Sequence, residues 1–375
     1  MPKLLLVYPP RIPIRGSFLT DIVKILRLLD FETIVLVGQG CAPANSPKNV
    51  SYFEVPLSRL LNRPISNVLE STWIFLSEQI LVAMSLLRLR KKFDRVIFSI
   101  YLMPLPLLLT RILRKKSLIY IAGILLPMSA KSGLSRRLIP IVEDFCYRWA
   151  EAILIVASHL VTRSPLSKYS KKAFEAPIRL LDEEFLSRFS YSNLSDRRNV
   201  VGFVGRLSWE KGIVEYMRAI PRIIQQESDV SFLIVGDGPL RNLVLEEIES
   251  SLMKDRVSFV PWTDKVEVYL KRIKLLVLPS KSEGIPSVML EAMACGTVVL
   301  ATAVGGLQGL LEEGRNAFLL NNTETEYLAH RVTEVLERPD LEEVANNAYR
   351  WLVGRYNERS VITAWKIPFE AFSRK

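Results

Sequence analysis

Cysteine and histidine are scarce: three cysteines (Cys41, Cys146, Cys295) and two histidines (His159, His330) in 375 residues. The cysteines lie far apart, form no C-x-x-C and have no histidine cluster nearby. That argues against a zinc site or a disulfide framework and for a reducing compartment. Long uncharged apolar runs are also missing. Residues 96–110 (VIFSIYLMPLPLLLT) and 117–130 (SLIYIAGILLPMSA) fall short of the ~20 residues of a membrane span, and the run at 73–87 is broken by Glu78. The start, MPKLLLVYPP, is too short in its apolar run for a signal peptide and reads as a buried strand. Low-complexity tracts and short internal repeats are absent.

What is present describes a globular chain of two domains: 49% hydrophobic, 24% charged, and too long for one ordinary core. Charge is unevenly divided. Residues 1–195 hold 27 Lys and Arg against 14 Asp and Glu, and residues 196–375 hold 23 against 25. A basic N-terminal half suits an anionic partner such as acidic lipid, a phosphorylated substrate or nucleic acid. No basic motif interleaved with aromatics supports nucleic acid. The apolar runs ending in RLRKK (88–92) and RILRKK (111–116) suit an edge dipping into an acidic membrane interface, although most of their bulk reads as buried strands and core helices. Residues 134–150 repeat Leu138, Ile141, Val142, Phe145 and Trp149 at helical spacing, a face that fits core or interface equally.

Short apolar, β-branched runs at 3–9, 32–38, 94–100, 117–123 and 152–158 alternate with longer helical segments. After the polar stretch FSYSNLSDRRN (189–199), the pattern restarts at 200–205, 231–236, 256–261, 275–280 and 297–302. Such alternation predicts doubly wound parallel sheets. The expectation is two Rossmann-like domains facing a cleft, 1–190 and 191–359, with the last helix (about 360–375) packing back on the first.

Ligands of open parallel sheets bind at the carboxyl ends of strands, and the unusual residues of the second half sit there. FVGRLSWEKG (203–212) carries Gly205, Arg206 and Lys211; IVGDGPL (234–240) carries Gly236 and Gly238; LPSKSEGIP (278–286) carries Glu283 and Gly284; AVGGLQGLLEEG (303–314) follows the last run. Next, SEGIPSVMLEAMACG (282–296) predicts a helix with Pro286 at its first position and Gly296 just past its end. Its residues are apolar almost all round, so Glu291 reads as a buried carboxylate that needs a partner.

These motifs resemble the retaining glycosyltransferases of family 4, which have the GT-B fold. The resemblance is carried by GRLSWEKG, by VGDGP and above all by EGIPSVMLEAMACGTVVLATAVGG, with its E-x7-E pair. It implies that Glu291 binds the ribose hydroxyls of a sugar nucleotide and Glu283 the hydroxyls of the transferred sugar. It implies that Arg206 and Lys211 hold the donor diphosphate. The helix start at Gly284, Ile285, Pro286, Ser287 and Val288 offers it unpaired N–H groups, and the loops at Gly16, Gly205, Gly236 and Gly238 complete the donor site. With no Asp-x-Asp and with cations in place, neither metal nor cofactor is expected. The partners implied are a UDP- or GDP-hexose and a lipid-linked or otherwise membrane-associated acceptor, on the cytoplasmic face of a membrane.

Two features depart from the family's pattern. The usual glycine pair after the first strand is replaced by PPRIPIRGS, with Gly16 alone. The histidine after the fourth strand is missing, and SLIYIAGI has Ala122 and Gly123 there. His159 reads as a local structural residue and His330 as surface. A different class of function is therefore also compatible: a non-catalytic subunit that binds nucleotide sugar and supports a partner transferase.

Overall fold

The structure is a computed structural model that describes residues 2–8, 17–43, 46–56, 68–99, 103–121, 133–162, 165–249 and 253–373. Gly16 and the segment around Ala122 and Gly123 lie outside them. The chain divides into two compact units, Met1–Leu180 with Glu358–Lys375, and Leu181–Asn357.

In the first unit the elements run β1 (Lys3–Val7), α1 (Ser17–Leu28), β2 (Glu32–Gly38), β3 (Val50–Val55), α2 (Val68–Leu89), β4 (Arg95–Phe98), α3 (Pro104–Ile112), β5 (Lys116–Ile121), α4 (Gly133–Trp149), β6 (Ala152–Ile155) and β7 (Ala173–Glu175). Its described strands pair in the order β3-β2-β1-β4-β5-β6-β7, all parallel. His159 lies in a short 3-10 helix, Ser158–Thr162, where its carbonyl accepts the Thr162 hydroxyl at 2.7 Å.

In the second unit α5 (Glu183–Arg188) leads into β8 (Val200–Val204), α6 (Ile213–Gln226), β9 (Ser231–Val235), α7 (Arg241–Glu249), β10 (Val257–Val260), α8 (Val266–Leu270), β11 (Leu275–Leu278), α9 (Ser287–Ala294), β12 (Val298–Thr302), β13 (Phe318–Leu320), α10 (Thr325–Leu336) and α11 (Leu341–Tyr356). The sheet order is β10-β9-β8-β11-β12-β13, also parallel. Successive strand residues serve opposite faces. Phe203, Val277 and Leu300 join Tyr216, Ile220 and Val332 in one core. Val204, Leu276, Leu278 and Val299 join Met289, Met293 and Leu352 in the other. A strand apolar on both faces is what a sheet covered on both sides requires. His330 is exposed on α10.

The last helix, α12 (Glu358–Ser373), belongs to the first unit. Trp365 is fully buried, stacks on Tyr120 with centroids 5.8 Å apart, and donates from Nε1 to the Pro177 carbonyl at 2.7 Å. Phe369 packs on Phe31 at 4.7 Å.

The unit boundary falls earlier than the polar stretch suggests. Leu181, Phe185 and Phe189 are buried with Met289 and Met293, so residues 181–189 serve the second core. Nor is the stretch 189–199 a loose linker. Arg197 Nη1 donates to the Ile273 carbonyl (2.6 Å) and to Thr297 Oγ1 (2.8 Å), and Nη2 donates to the Ser192 carbonyl (2.7 Å) and to the Cys295 carbonyl. Glu342 accepts from the Leu194 N–H at 2.7 Å and from the Tyr191 hydroxyl at 2.9 Å.

Candidate active site

In the second unit, β8 has β9 on one side and β11 on the other, so the chain reverses its direction of winding between β8 and β11. Loops leaving such a pair diverge and open a crevice at the carboxyl ends of the strands. The segments after β8 and β11 carry Arg206, Lys211 and Glu283, and the side chains of Lys211 and Glu283 meet there. Lys211 Nζ is 2.7 Å from both Oε1 and Oε2 of Glu283, and Ser280 Oγ donates to Oε1 at 2.7 Å. The carboxylate is buried, its side chain only 6% exposed, whereas Lys211 keeps 30% of its side chain open. An ammonium has three N–H donors; two are engaged by Glu283 and the third is left for a ligand.

Further ties fix the two loops to each other. The Lys281 N–H donates to the Glu210 carbonyl at 2.9 Å, and Lys281 Nζ pairs with Glu215 at 2.7 Å. Burial raises the Glu210 carboxyl, but a Ser208 hydrogen bond, its own backbone N–H and the charges of Arg206 and Lys211 outweigh that and hold it below its ordinary value. Arg206 itself is exposed, two residues beyond the end of β8.

The glycine-bearing loops are stitched together at backbone level. The Leu207 N–H donates to the Asp237 carbonyl at 2.9 Å, and the Leu240 N–H to the Leu207 carbonyl at 3.0 Å. Gly236 has φ +148°, and a Cβ there would lie 1.9 Å from the Gly205 carbonyl oxygen, so only glycine lets these loops approach. Gly238 lies in the same seam, against Leu207. The loop after β12 closes on Glu283 in the same manner: the Gly306 N–H donates to the Glu283 carbonyl at 2.9 Å. Gly305 has φ +56°, with a Cβ position 1.8 Å from that carbonyl oxygen.

Gly284 and Ile285 lead into α9. Pro286 is the residue before the helix, at φ −67° and ψ 126°, and Ser287 is its first residue. The expected first-turn proline is thus shifted by one position, its carbonyl accepting the Met289 N–H at 3.1 Å. Gly296 follows the helix end. A second correction concerns Glu291. Helix α9 is not buried all round: Ser287 is exposed and Val288 and Glu291 are half-buried, one turn apart on one stripe, while Met289, Leu290, Ala292, Met293 and Ala294 are buried. The carboxylate therefore stands at a partly open edge, where a ligand can reach it.

Sequence reasoning missed two features. Trp262 is 72% exposed immediately beyond β10, beside β9, so an unburied indole stands at the same end of the sheet as Gly236. A large exposed aromatic after a strand, in PWTDK, was the available signal. The Arg197 hub was also missed, because its partners are carbonyls distant in sequence. In the loop of 303–314, Glu312 and Glu313 pair with Arg315 and Arg331 (Glu313 at 2.6 Å), which makes them structural.

Residues 188–351 match the family model Glycosyl transferases group 1. Alpha-D-kanosaminyltransferase of Streptomyces kanamyceticus is 30% identical over 165 residues, covering 43% of this chain and 43% of that protein. The gpi3 subunit of phosphatidylinositol N-acetylglucosaminyltransferase of Schizosaccharomyces pombe is 32% identical over 163 residues, covering 40% of this chain and 34% of the subunit. The chain thus spans less than half the length of these two relatives. Over whole chains, the crystal structure of Anabaena Alr3699/HepE in complex with UDP and glucose superposes with a TM-score of 0.73 at 18% identity, covering 99% of this chain and 100% of that one. The fold is GT-B, two Rossmann-like parallel-sheet domains, and the residues that match the family model lie within its second unit.

Proposed function

We propose that the chain is a glycosyltransferase of family 4 that moves a hexosyl unit from a UDP- or GDP-sugar to an acceptor, with retention of the anomeric configuration. The observation that carries the reading is the Lys211–Glu283 pair, set at the switch point beside the start of α9. In this reading the free N–H of Lys211 and the fork of Arg206 hold the diphosphate and stabilise the charge that develops as the sugar–phosphate bond breaks. The first N–H groups of α9 add a positive dipole end. Glu283 accepts hydroxyls of the transferred sugar, Glu291 those of the ribose, and the indole of Trp262 offers a face to the base. Side-chain cations take the diphosphate's charge, so the reaction is read as independent of metal and cofactor.

Retention follows if the acceptor approaches on the face that the phosphate leaves. The acceptor oxygen bonds to C1 as the C1–O bond to phosphate breaks, and a phosphate oxygen takes the acceptor's proton. The acceptor is read as lipid-linked or otherwise membrane-associated. The basic first half supports this, and the gpi3 relative belongs to an enzyme named for a phosphatidylinositol substrate. Three cysteines without a disulfide suit the cytoplasmic face.

The test is turnover with a panel of UDP- and GDP-hexoses, with and without lipid acceptors, with the anomeric configuration of the product read by NMR. An inverted product would overturn retention. Tight nucleotide binding without turnover on any acceptor would favour the non-catalytic subunit.

A further inference from the structure

Helix α2 is apolar on two faces: Ile74, Val82, Leu86 and Leu89 are buried in the core, and a second apolar stripe faces outward. Trp73, Leu76, Ile80, Met84 and Leu87 are each between 42% and 65% exposed, whereas Glu78, Gln79 and Ser85 are buried. Spacings of three and four residues put the exposed five on one stripe, roughly 21 Å long at 1.5 Å per residue. The inward polar groups are used for packing. Gln79 Nε2 donates to Met103 Sδ at 3.3 Å, Gln79 Oε1 accepts the Leu105 N–H at 3.4 Å at the start of α3, and Ser85 Oγ donates to the Leu81 carbonyl at 2.8 Å. A helix whose outer face meets only water carries polar residues there, because exposing this much apolar surface is unfavourable.

The neighbouring helices continue the surface. Helix α3 packs on α2 and exposes Leu105 and Ile112. The exposed charges that end α2 and α3 are basic, apart from Asp94, which pairs with Lys115 at 3.7 Å. Arg88, Arg90, Lys91 and Lys92 are exposed at the end of α2, and Arg111 and Arg114 at the end of α3. Within residues 73–92 the only carboxylate is Glu78, which points inward. A second copy of the chain brings no acidic group from this stripe to meet those cations; acidic lipid headgroups do. No helix among the described residues is long and apolar enough to cross a membrane.

We propose that the outer face of α2 lies in the interface of an acidic bilayer, with Trp73, Leu76, Ile80, Met84 and Leu87 among the acyl chains and the cations of 88–92 and 111–114 on the headgroups. This goes beyond electrostatic attraction, because it names an inserted face, and it deepens the membrane-associated acceptor reading on which it rests.

The experiment uses the full chain with vesicles of phosphatidylcholine, alone or with phosphatidylglycerol, carrying brominated acyl chains that quench inserted tryptophan. Phosphatidylglycerol vesicles should sediment the protein and quench its fluorescence, and Trp73→Phe should remove most of the quenching. The triple variant Ile80→Ser, Met84→Ser, Leu87→Ser should partition about tenfold more weakly with an unchanged melting temperature, since its targets are exposed. Replacing Arg90, Lys91 and Lys92 by serine should also weaken attachment, most at low salt. Absence of sedimentation with acidic vesicles, or undiminished attachment of the apolar triple variant, overturns the proposal. So does a wild-type dimer that this variant turns into a monomer while vesicle attachment stays the same. Calorimetry with UDP and GDP on the same samples separates the two readings. Nucleotide binding without attachment sinks only the docking face, and attachment without nucleotide binding sinks only the transferase.

Discussion

Lys211 and Glu283, 72 residues apart in sequence, form a two-pronged ion pair, with Nζ at 2.7 Å from each carboxylate oxygen. The acid is buried and the base half-open, so the two substitutions are not equivalent. Lys211→Ala leaves a buried carboxylate with Ser280 as its remaining partner, and should cost about 1–3 kcal/mol of stability. Turnover should fall about a hundredfold or more, since a cation aimed at the leaving group is lost. Glu283→Gln should unfold at denaturant concentrations closer to wild type yet lose turnover as deeply. Urea melts beside steady-state rates check this; a Lys211→Ala enzyme with normal kcat would make the lysine structural.

Glu291 faces the partly open edge of α9. Glu291→Ala should weaken nucleotide binding by about 1.5–3 kcal/mol, the worth of hydrogen bonds to a charged acceptor, with little change in melting temperature. Titration calorimetry with UDP and GDP decides. Unchanged affinity would remove Glu291 from the ribose.

The Cβ of an alanine at position 305 would sit 1.8 Å from the Glu283 carbonyl oxygen, at a φ of +56° that L-residues seldom adopt. Gly305→Ala should therefore push Glu283 out of place, lowering kcat more than a Gly314→Ala control, where a Cβ meets nothing within 4 Å. Both share the strained φ, so equal losses of activity would refute a role for this contact.

Burial pushes the thiols of Cys146 and Cys295 up to about 12, whereas Cys41 is partly exposed. At pH 8 a thiol reagent should modify Cys41 quickly and the other two only after denaturation. The sign for stability follows from the same shift. Each buried thiol favours the fold fully below its ordinary value of 9.0, and that contribution is lost as pH rises from there towards about 12. Cys146→Ala and Cys295→Ala should each flatten the alkaline fall in melting temperature. Rapid native modification of three thiols would contradict the packing.

The candidate site of the second unit was legible because its residues sit in contiguous loops at strand ends; the Glu283 loop and the glycines of 203–212 and 234–240 needed only the alternation of strands to be placed. Strands β3, β7 and β13 were not read. All three lie at sheet edges, where only one neighbour pairs and the apolar signature thins, as in VSYFEV with Glu54 next to its last residue. The apolar outer stripe of α2 could not be read either, since a run apolar on most sides does not reveal which face is outward. Trp262 and the Arg197 clamp depend on tertiary neighbours that sequence spacing does not encode.

In the proposed function the Lys211–Glu283 pair serves a sugar nucleotide. The most direct measurement is a thermal-shift titration of wild type, Lys211→Ala and Glu291→Ala with UDP, GDP and their hexose conjugates. The account predicts that one nucleotide series raises the wild-type melting temperature in a concentration-dependent way, and that either substitution blunts the rise. A wild-type protein stabilised by none of these ligands, or two variants stabilised as fully as wild type, would contradict it.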